Sequence, residues 1–156
     1  SGFCPACALE RAGVTLAIGT DGCASNNDLD MVGETRTAAL LAKAVANDAA
    51  GLDAHAALRA ATLGGAKAIG FDHLVGSLEP GKQADIACID LSALETQPLH
   101  NVVSQLIYAT GRHQVSDVWI AGARKLRQRV LVDIDLDGVL ANARQWRDRI
   151  ANVRPA

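Results

Sequence analysis

The chain has 156 residues, a length typical of one domain, and its 15 Lys and Arg nearly balance its 17 Asp and Glu, for a net charge of −2. This balance argues against nucleic acid as a partner, because proteins that bind it usually carry a basic excess. The 49% hydrophobic content excludes a disordered chain. No apolar run approaches the roughly 20 residues of a membrane helix, so we expect no membrane partner. With no secretory leader visible, we expect a cytoplasmic protein.

The first predicted elements are a short helix and a strand. Residues 6–11 favour a helix that ends before Gly13. Residues 14–18 form a nearly continuous apolar run between Gly13 and Gly19, which is typical of a strand buried on both faces in a parallel sheet. The sequence starts at Ser1 without methionine and enters this strand almost at once. We therefore expect a fragment that joins a larger fold part-way through.

A helical region follows the strand. Residues 25–28 are a cluster of helix-capping types, and they predict a helix over residues 29–47 with Asp28 and Asp30 in its acidic first turn. Asp53 is the predicted cap of a second helix over residues 54–61. A third helix is predicted over residues 63–69, ending at Gly70.

The second half of the chain has a different pattern. Residues 76–82 are rich in turn formers and precede a predicted strand over 84–90. Residues 102–109 fit either a helix or a strand. A hairpin is predicted from residues 115–121 and 124–132, with Gly122 in its turn. Asp135 or Asp137 opens a last helix, one face of which is apolar: Leu136, Val139, Leu140, Ala143, Trp146 and Ile150. The pattern divides the chain into residues 1–75, 76–133 and 134–156.

The cysteines and histidines do not form a recognisable metal site. Cys4 and Cys7 have the spacing of a redox pair or of half a zinc knuckle, but Cys23 and Cys88 stand alone. We expect packing cysteines in a reducing compartment. The histidines are far apart and lack ligand spacing: His55, His73, His100 and His113.

Asp21 is the one candidate catalytic carboxylate. It comes directly after the predicted strand, at the end of a strand where α/β folds place their catalytic residues. A carboxylate there can bind a metal or move a proton. Asp followed by Gly22 is also typical of a simple turn, the interpretation that local sequence favours. Local sequence alone leaves both interpretations open.

Several segments in the same order resemble the amidohydrolases. Residues 19–31, GTDGCASNNDLDM, resemble the segment after the eighth barrel strand in the branch of methylthioadenosine/S-adenosylhomocysteine deaminases and triazine hydrolases. Residues 1–5 resemble the approach to that strand, and residues 60–70 the helix after it. Residues 76–86 resemble the return into the family's β-sandwich, and residues 115–122 one of its late strands.

The resemblance implies an α/β fold, with the C-terminal end of a metal-dependent (β/α)8 barrel in residues 1–75 and part of a small β-sandwich domain in residues 76–133. Members of the family hold one divalent metal, commonly Zn²⁺. Asp21 matches the aspartate that ligates this metal and accepts a proton from the attacking water. The family's H-x-H pair, its other histidine ligands and its glutamate have no match in this chain. The fragment alone is therefore expected to be inactive.

The function implied is deamination of an adenosine-type small molecule, methylthioadenosine or S-adenosylhomocysteine. Two alternatives stay open. One is a triazine, aminopurine or pterin hydrolase of the same branch, and the other is a non-catalytic assembly module. The partners implied are the small-molecule substrate, the rest of the same polypeptide and further copies in a homo-oligomer.

Overall fold

The computed structural model describes residues 2–153. Ser1, the first residue of the predicted unit 1–75, and residues 154–156, the end of the predicted last helix, lie outside this range. Within residues 2–153, the first half holds helices, and a small sheet with one α-helix between its first two strands follows, then a final helix.

The core of the molecule is a helical cluster built mainly from alanine. Helices α1 (Ala6–Arg11), α2 (Met31–Ala46), α3 (Ala54–Arg59) and α5 (Val102–Tyr108) contribute to it. Helix α5 resolves the ambiguity over residues 102–109 in favour of a helix. Because aromatic residues make up only 3% of the chain, small side chains let these helices approach closely. The buried residues of this cluster are Cys7, Ala39, Ala42, Leu52, Ala54, Ala57 and Ile107.

The cysteines differ in their surroundings. Cys7 is buried, and its thiol lies 3.5 Å from the carbonyl oxygen of Ala42, to which it donates. Cys4, Cys23 and Cys88 are exposed, so the expectation of packing cysteines is correct for Cys7 and wrong for the other three.

Helix α2 begins later than predicted. Its N-cap is Asp30, whose side chain accepts a hydrogen bond from the Val32 amide at 3.0 Å, and its first turn carries Glu34. The prediction of a start at residue 29, with residues 25–28 as caps, is wrong. Asp28 lies before the helix because Asp30 has an extended backbone (φ −100°, ψ 93°). The polar residues 25–28 are thus available for other contacts.

The predicted break between the second and third helices does not exist. Helix α3 continues through a π-helical segment, Ala60–Gly64, into α4 (Gly65–Ala68). A π-helical turn displaces the residues that follow it around the helix axis. In this chain it brings Gly64 directly against the backbone of residue Leu16.

Four strands form one antiparallel sheet in the order β1-β2-β3-β4. Strand β1 is Ile86–Ile89 and pairs with β2, Val115–Ile120, with Ala87 opposite Val118. Strand β3, Ala123–Arg127, follows a tight turn in which Ala121 and Gly122 both have positive φ. These strands form where the sequence predicts them.

The second arm of the predicted hairpin is divided. Residues 124–132 hold β3 and a short strand β4 (Val130–Leu131), separated by Gln128 and Arg129, which have φ of 45° and 67°. Asp117 on β2 supports this turn, since its carboxylate accepts from the Gln128 amide at 3.0 Å and from Arg124 at 2.5 Å. The Arg124 guanidinium, followed by the Gln128 amide, lowers the pKa of Asp117 to about 2.

Residues 14–18 are not part of a sheet. They run without regular structure along the α3–π–α4 helix, and the Ile18 amide donates to the Ala60 carbonyl at 3.2 Å. Val14 is 50% exposed, whereas Leu16 and Ile18 are half-buried. The prediction of a buried, paired strand is wrong for this chain by itself. A strand needs a neighbour for its backbone hydrogen bonds, and no described segment lies beside this one as a strand.

Helix α6 (Leu136–Val153) has no buried residue among those described. Its predicted apolar face forms as a continuous stripe, but that stripe lies at the surface, with Trp146 59% exposed. No helix in residues 2–153 is long and apolar enough to cross a membrane.

Candidate functional site

Asp21 lies in a tight loop just beyond the irregular segment 14–18. Its φ of 60° is in the left-handed region, which Asp tolerates better than most non-glycine residues. Its Oδ1 accepts a hydrogen bond from the Gly22 amide at 2.7 Å, and the Thr20 hydroxyl donates to its carbonyl oxygen at 3.0 Å. The side chain is exposed. The carboxylate is therefore oriented locally and accessible to a ligand.

In the described residues, Asp21 does not belong to a cluster of candidate metal ligands. Within residues 2–153, no group of three or more His, Cys, Asp or Glu side chains is arranged to hold a metal ion. His113 instead lies 3.4 Å from Glu95 at the surface, remote in sequence from the Asp21 loop. Hydrogen bonds from its own backbone amide and from His113 lower the pKa of Glu95.

Asn26 ties the Asp21 loop to helix α2. Its side-chain amide donates to Glu34 Oε1 at 2.8 Å, and its Oδ1 accepts from the Asp28 amide at 3.1 Å. Its own amide donates to the Gly22 carbonyl at 3.0 Å, one residue after Asp21. Sequence reasoning missed this role because it assigned Asn26 to the helix cap. Asn26 and Glu34 are eight positions apart, and that spacing carries no local signal.

A second tie reaches the loop from a distant part of the chain. Arg112, in the short 3-10 turn before β2, forms an ion pair with Asp28. The backbone near Arg112 is held in turn by Arg36 of α2, whose guanidinium donates to the carbonyl oxygens of Ile107 and Thr110. The Asp21 loop is thus connected both to α2 and to the segment that leads into the sheet.

Comparison with known proteins identifies the family. Residues 2–125 match the model of the amidohydrolase family. The chain belongs to this family. Its similarity to a 5-methylthioadenosine/S-adenosylhomocysteine deaminase from Teredinibacter turnerae is 52% identity over 154 residues, which covers 99% of this chain. A deaminase of the same name from Moorella thermoacetica is 42% identical over 141 residues.

Solved structures of this family superpose closely on the chain. The structure of an adenosine deaminase from Xanthomonas campestris with bound zinc is similar at 74% identity with a TM-score of 0.95 over 98% of this chain. An atrazine chlorohydrolase from Arthrobacter aurescens complexed with zinc is 32% identical, with a TM-score of 0.84 over 92% of this chain. This amidohydrolase chain spans about 35% of the length of the deaminases.

Proposed function

We propose that this amidohydrolase chain is the C-terminal part of a zinc-dependent enzyme that deaminates an adenosine-type small molecule, methylthioadenosine or S-adenosylhomocysteine. The observation that carries the proposal is the exposed, locally oriented carboxylate of Asp21 in a chain 52% identical to a deaminase of that name. The 74% identity to a zinc-containing adenosine deaminase supports the same reaction class.

The donor set of the chain suits one position of a zinc site. A carboxylate oxygen is a regular zinc ligand, and Asp21 presents one at the surface. A complete catalytic site needs about three protein ligands, so the remaining ligands would come from the rest of the polypeptide. Zinc, when bound, lowers the pKa of a coordinated water toward neutrality and so makes it a nucleophile.

Asp21 would act on the proton of the attacking water. Oδ2 would be the atom that receives the proton, because Oδ1 already accepts from the Gly22 amide and its second lone pair would be the one left for the metal. The Gly22 hydrogen bond keeps the carboxylate from rotating away, which favours a fixed distance between base and water. The proton can then pass to the leaving exocyclic amine, which departs as ammonia.

The rest of the polypeptide is the first partner of this chain in the proposal. Residues 14–18 have no regular structure in this chain and pair with no described strand, which would suit pairing in the (β/α)8 barrel, with Asp21 at its C-terminal mouth. The four-stranded sheet would belong to the small β-sandwich domain. Residues 1–75 would then form the barrel part of the chain and residues 76–133 the sandwich part. The exposed apolar stripe of α6, in residues 134–156, also needs a covering surface.

A chlorotriazine hydrolase is the second candidate, favoured by the superposition on the atrazine chlorohydrolase with a TM-score of 0.84. The atrazine chlorohydrolase is 32% identical to this chain, whereas the adenosine deaminase is 74% identical. We therefore rank deamination of an adenosine-type substrate first.

The deciding experiment compares wild type with Asp21→Asn in the full-length polypeptide. Steady-state kinetics with methylthioadenosine, S-adenosylhomocysteine, adenosine and atrazine would identify the substrate, and zinc content is measured in parallel. Asn keeps the shape of Asp but cannot accept the proton, so kcat should fall roughly 10²–10⁴-fold. A kcat within about threefold of wild type would show that Asp21 is only a turn residue.

A further inference from the structure

The loop that carries Asp21 has no regular structure of its own. Residues 19–30 contain turns and bends but no helix or strand, and Asp21 itself is exposed. A metal ligand must be held within about 0.5 Å of its productive position, which a free loop cannot do. Contacts from the loop to a rigid element must therefore fix it, and the Asn26–Glu34 hydrogen bond is one of these contacts.

Asn26 occupies the centre of the loop's hydrogen-bond network. Its backbone amide closes the turn that starts at Gly22, and its side-chain oxygen holds the amide of Asp28 on the far side. Its side-chain nitrogen donates to Glu34, so one residue joins both halves of the loop to α2. Asn26 is half-buried, whereas its neighbours Ser25 and Asn27 are exposed.

Glu34 is placed to anchor this network. It lies in the first turn of α2, where its amide donates to the carbonyl of the cap residue Asp30 at 2.9 Å. Its side chain lines the same groove as Ile18 and Gly19, the residues that lead into Asp21. The carboxylate therefore reaches the loop from a 16-residue helix whose own position is set by the core.

We propose that Asn26, anchored by Glu34, is a positioning residue that holds Asp21 in the orientation needed to ligate zinc and receive a proton. This inference rests on the function proposed above and adds to it a residue pair outside the metal ligands. Loss of a partner that orients a metal ligand typically costs 10–100-fold in metal affinity or activity.

The test uses the polarity of the hydrogen bond in the full-length enzyme. Asn26→Asp replaces the amide nitrogen, which lies 2.8 Å from Glu34 Oε1, with a second carboxylate oxygen, so that two carboxylates face each other. The oxygen that accepts from the Asp28 amide is kept. Glu34→Gln supplies an amide, so in the double variant the donor and acceptor are reversed and the contact is restored. Asn27→Asp is the matched control, because it adds the same charge one position away on an exposed side chain.

Three quantities are measured for each variant: zinc affinity by competition with a chelator, kcat, and the melting temperature of the zinc-free protein. Asn26→Asp should weaken zinc binding and lower kcat by roughly 10–100-fold. In the Glu34→Gln background, Asn26→Asp should lower zinc affinity and kcat by less than about threefold. Asn27→Asp should leave both quantities near wild type.

Two results would overturn the inference. In the first, Asn26→Asp changes zinc affinity no more than Asn27→Asp does. In the second, it lowers the melting temperature but leaves zinc affinity and kcat of the folded enzyme unchanged, as a purely structural role requires. If Asp21→Asn is also silent, the proposed function itself fails. If Asp21→Asn is inactive while Asn26→Asp is silent, only the positioning role fails.

Discussion

Gly64 lies directly against the carbonyl oxygen of Leu16. A Cβ atom at Gly64 would overlap that oxygen and would lie 2.9 Å from the Arg59 carbonyl as well. Gly64 is the last residue of the π-helical turn Ala60–Gly64, so the path of that turn sets where Gly64 meets residues 14–18. The segment beyond Leu16 carries Asp21, so a glycine in a helix helps to set the position of the candidate catalytic loop.

Gly64→Ala and Gly65→Ala should therefore change stability in opposite directions. Alanine at position 64 must push the Leu16 backbone away, at a cost of about 1–3 kcal/mol typical of overpacking. Alanine at position 65 meets no atom closer than 3.7 Å and should stabilise the helix by roughly 0.5–1 kcal/mol. Urea denaturation of both variants checks this. Equal effects of the two substitutions would contradict the close contact.

Arg36 should contribute more to stability than an exposed arginine. Its guanidinium donates to the carbonyl oxygens of Ile107 in α5 and of Thr110 just after α5, and both residues are buried. Arg36→Met leaves these acceptors without their charged donor, which should cost about 1.5–3 kcal/mol. Arg59→Met on exposed α3 surface is the control and should fall within about 0.5 kcal/mol of wild type. Similar losses for both variants would argue against the contact.

The Asp117–Arg124 pair should make stability depend on pH in the acid range. The pKa of Asp117 is lowered in the folded protein from 3.8 to about 2, so its ionised form stabilises the fold. That contribution is complete above the unfolded pKa and is lost as the pH falls from about 4 through 2. The stability gap between wild type and Asp117→Asn should be constant from pH 7 to 5 and shrink below pH 4.

Denaturation midpoints at pH 7, 5, 4 and 3 measure this gap. Asp72→Asn, whose side chain accepts none of the described hydrogen bonds, is the control and should follow wild type throughout. A gap between wild type and Asp117→Asn that widens on acidification would contradict the lowered pKa.

Residues 1–156 by themselves should bind zinc weakly. Asp21 would supply one ligand, and residues 2–153 hold no group of three or more ligand side chains arranged for a metal. A zinc site with one carboxylate lacks the ligand number that gives high affinity. Isothermal titration calorimetry should show little difference in zinc binding between wild-type residues 1–156 and the Asp21→Asn variant. Tight binding of one zinc per chain would reveal another site, with Cys4 and Cys7 as the first residues to substitute.

The sequence by itself determined those elements whose signals lie within a few neighbouring residues. The Asp53 side chain caps α3, as predicted, because it accepts a hydrogen bond three residues ahead. Gly122 also lies in the β2–β3 turn, as predicted, because glycine readily adopts the positive φ of 78° found there. Asp21 could also be singled out from sequence, because the motif around it is contiguous and resembles that of the family.

Tertiary structure alone decided the contacts between residues far apart in sequence. Nothing in the spacing of Asn26 and Glu34, or of Asp28 and Arg112, predicts that these side chains meet. Residues 14–18 show the converse, because a strand-like sequence pairs only when another strand lies beside it. Periodicity records which side of an element is apolar, but the neighbour that covers that side is set by the packing of the whole molecule.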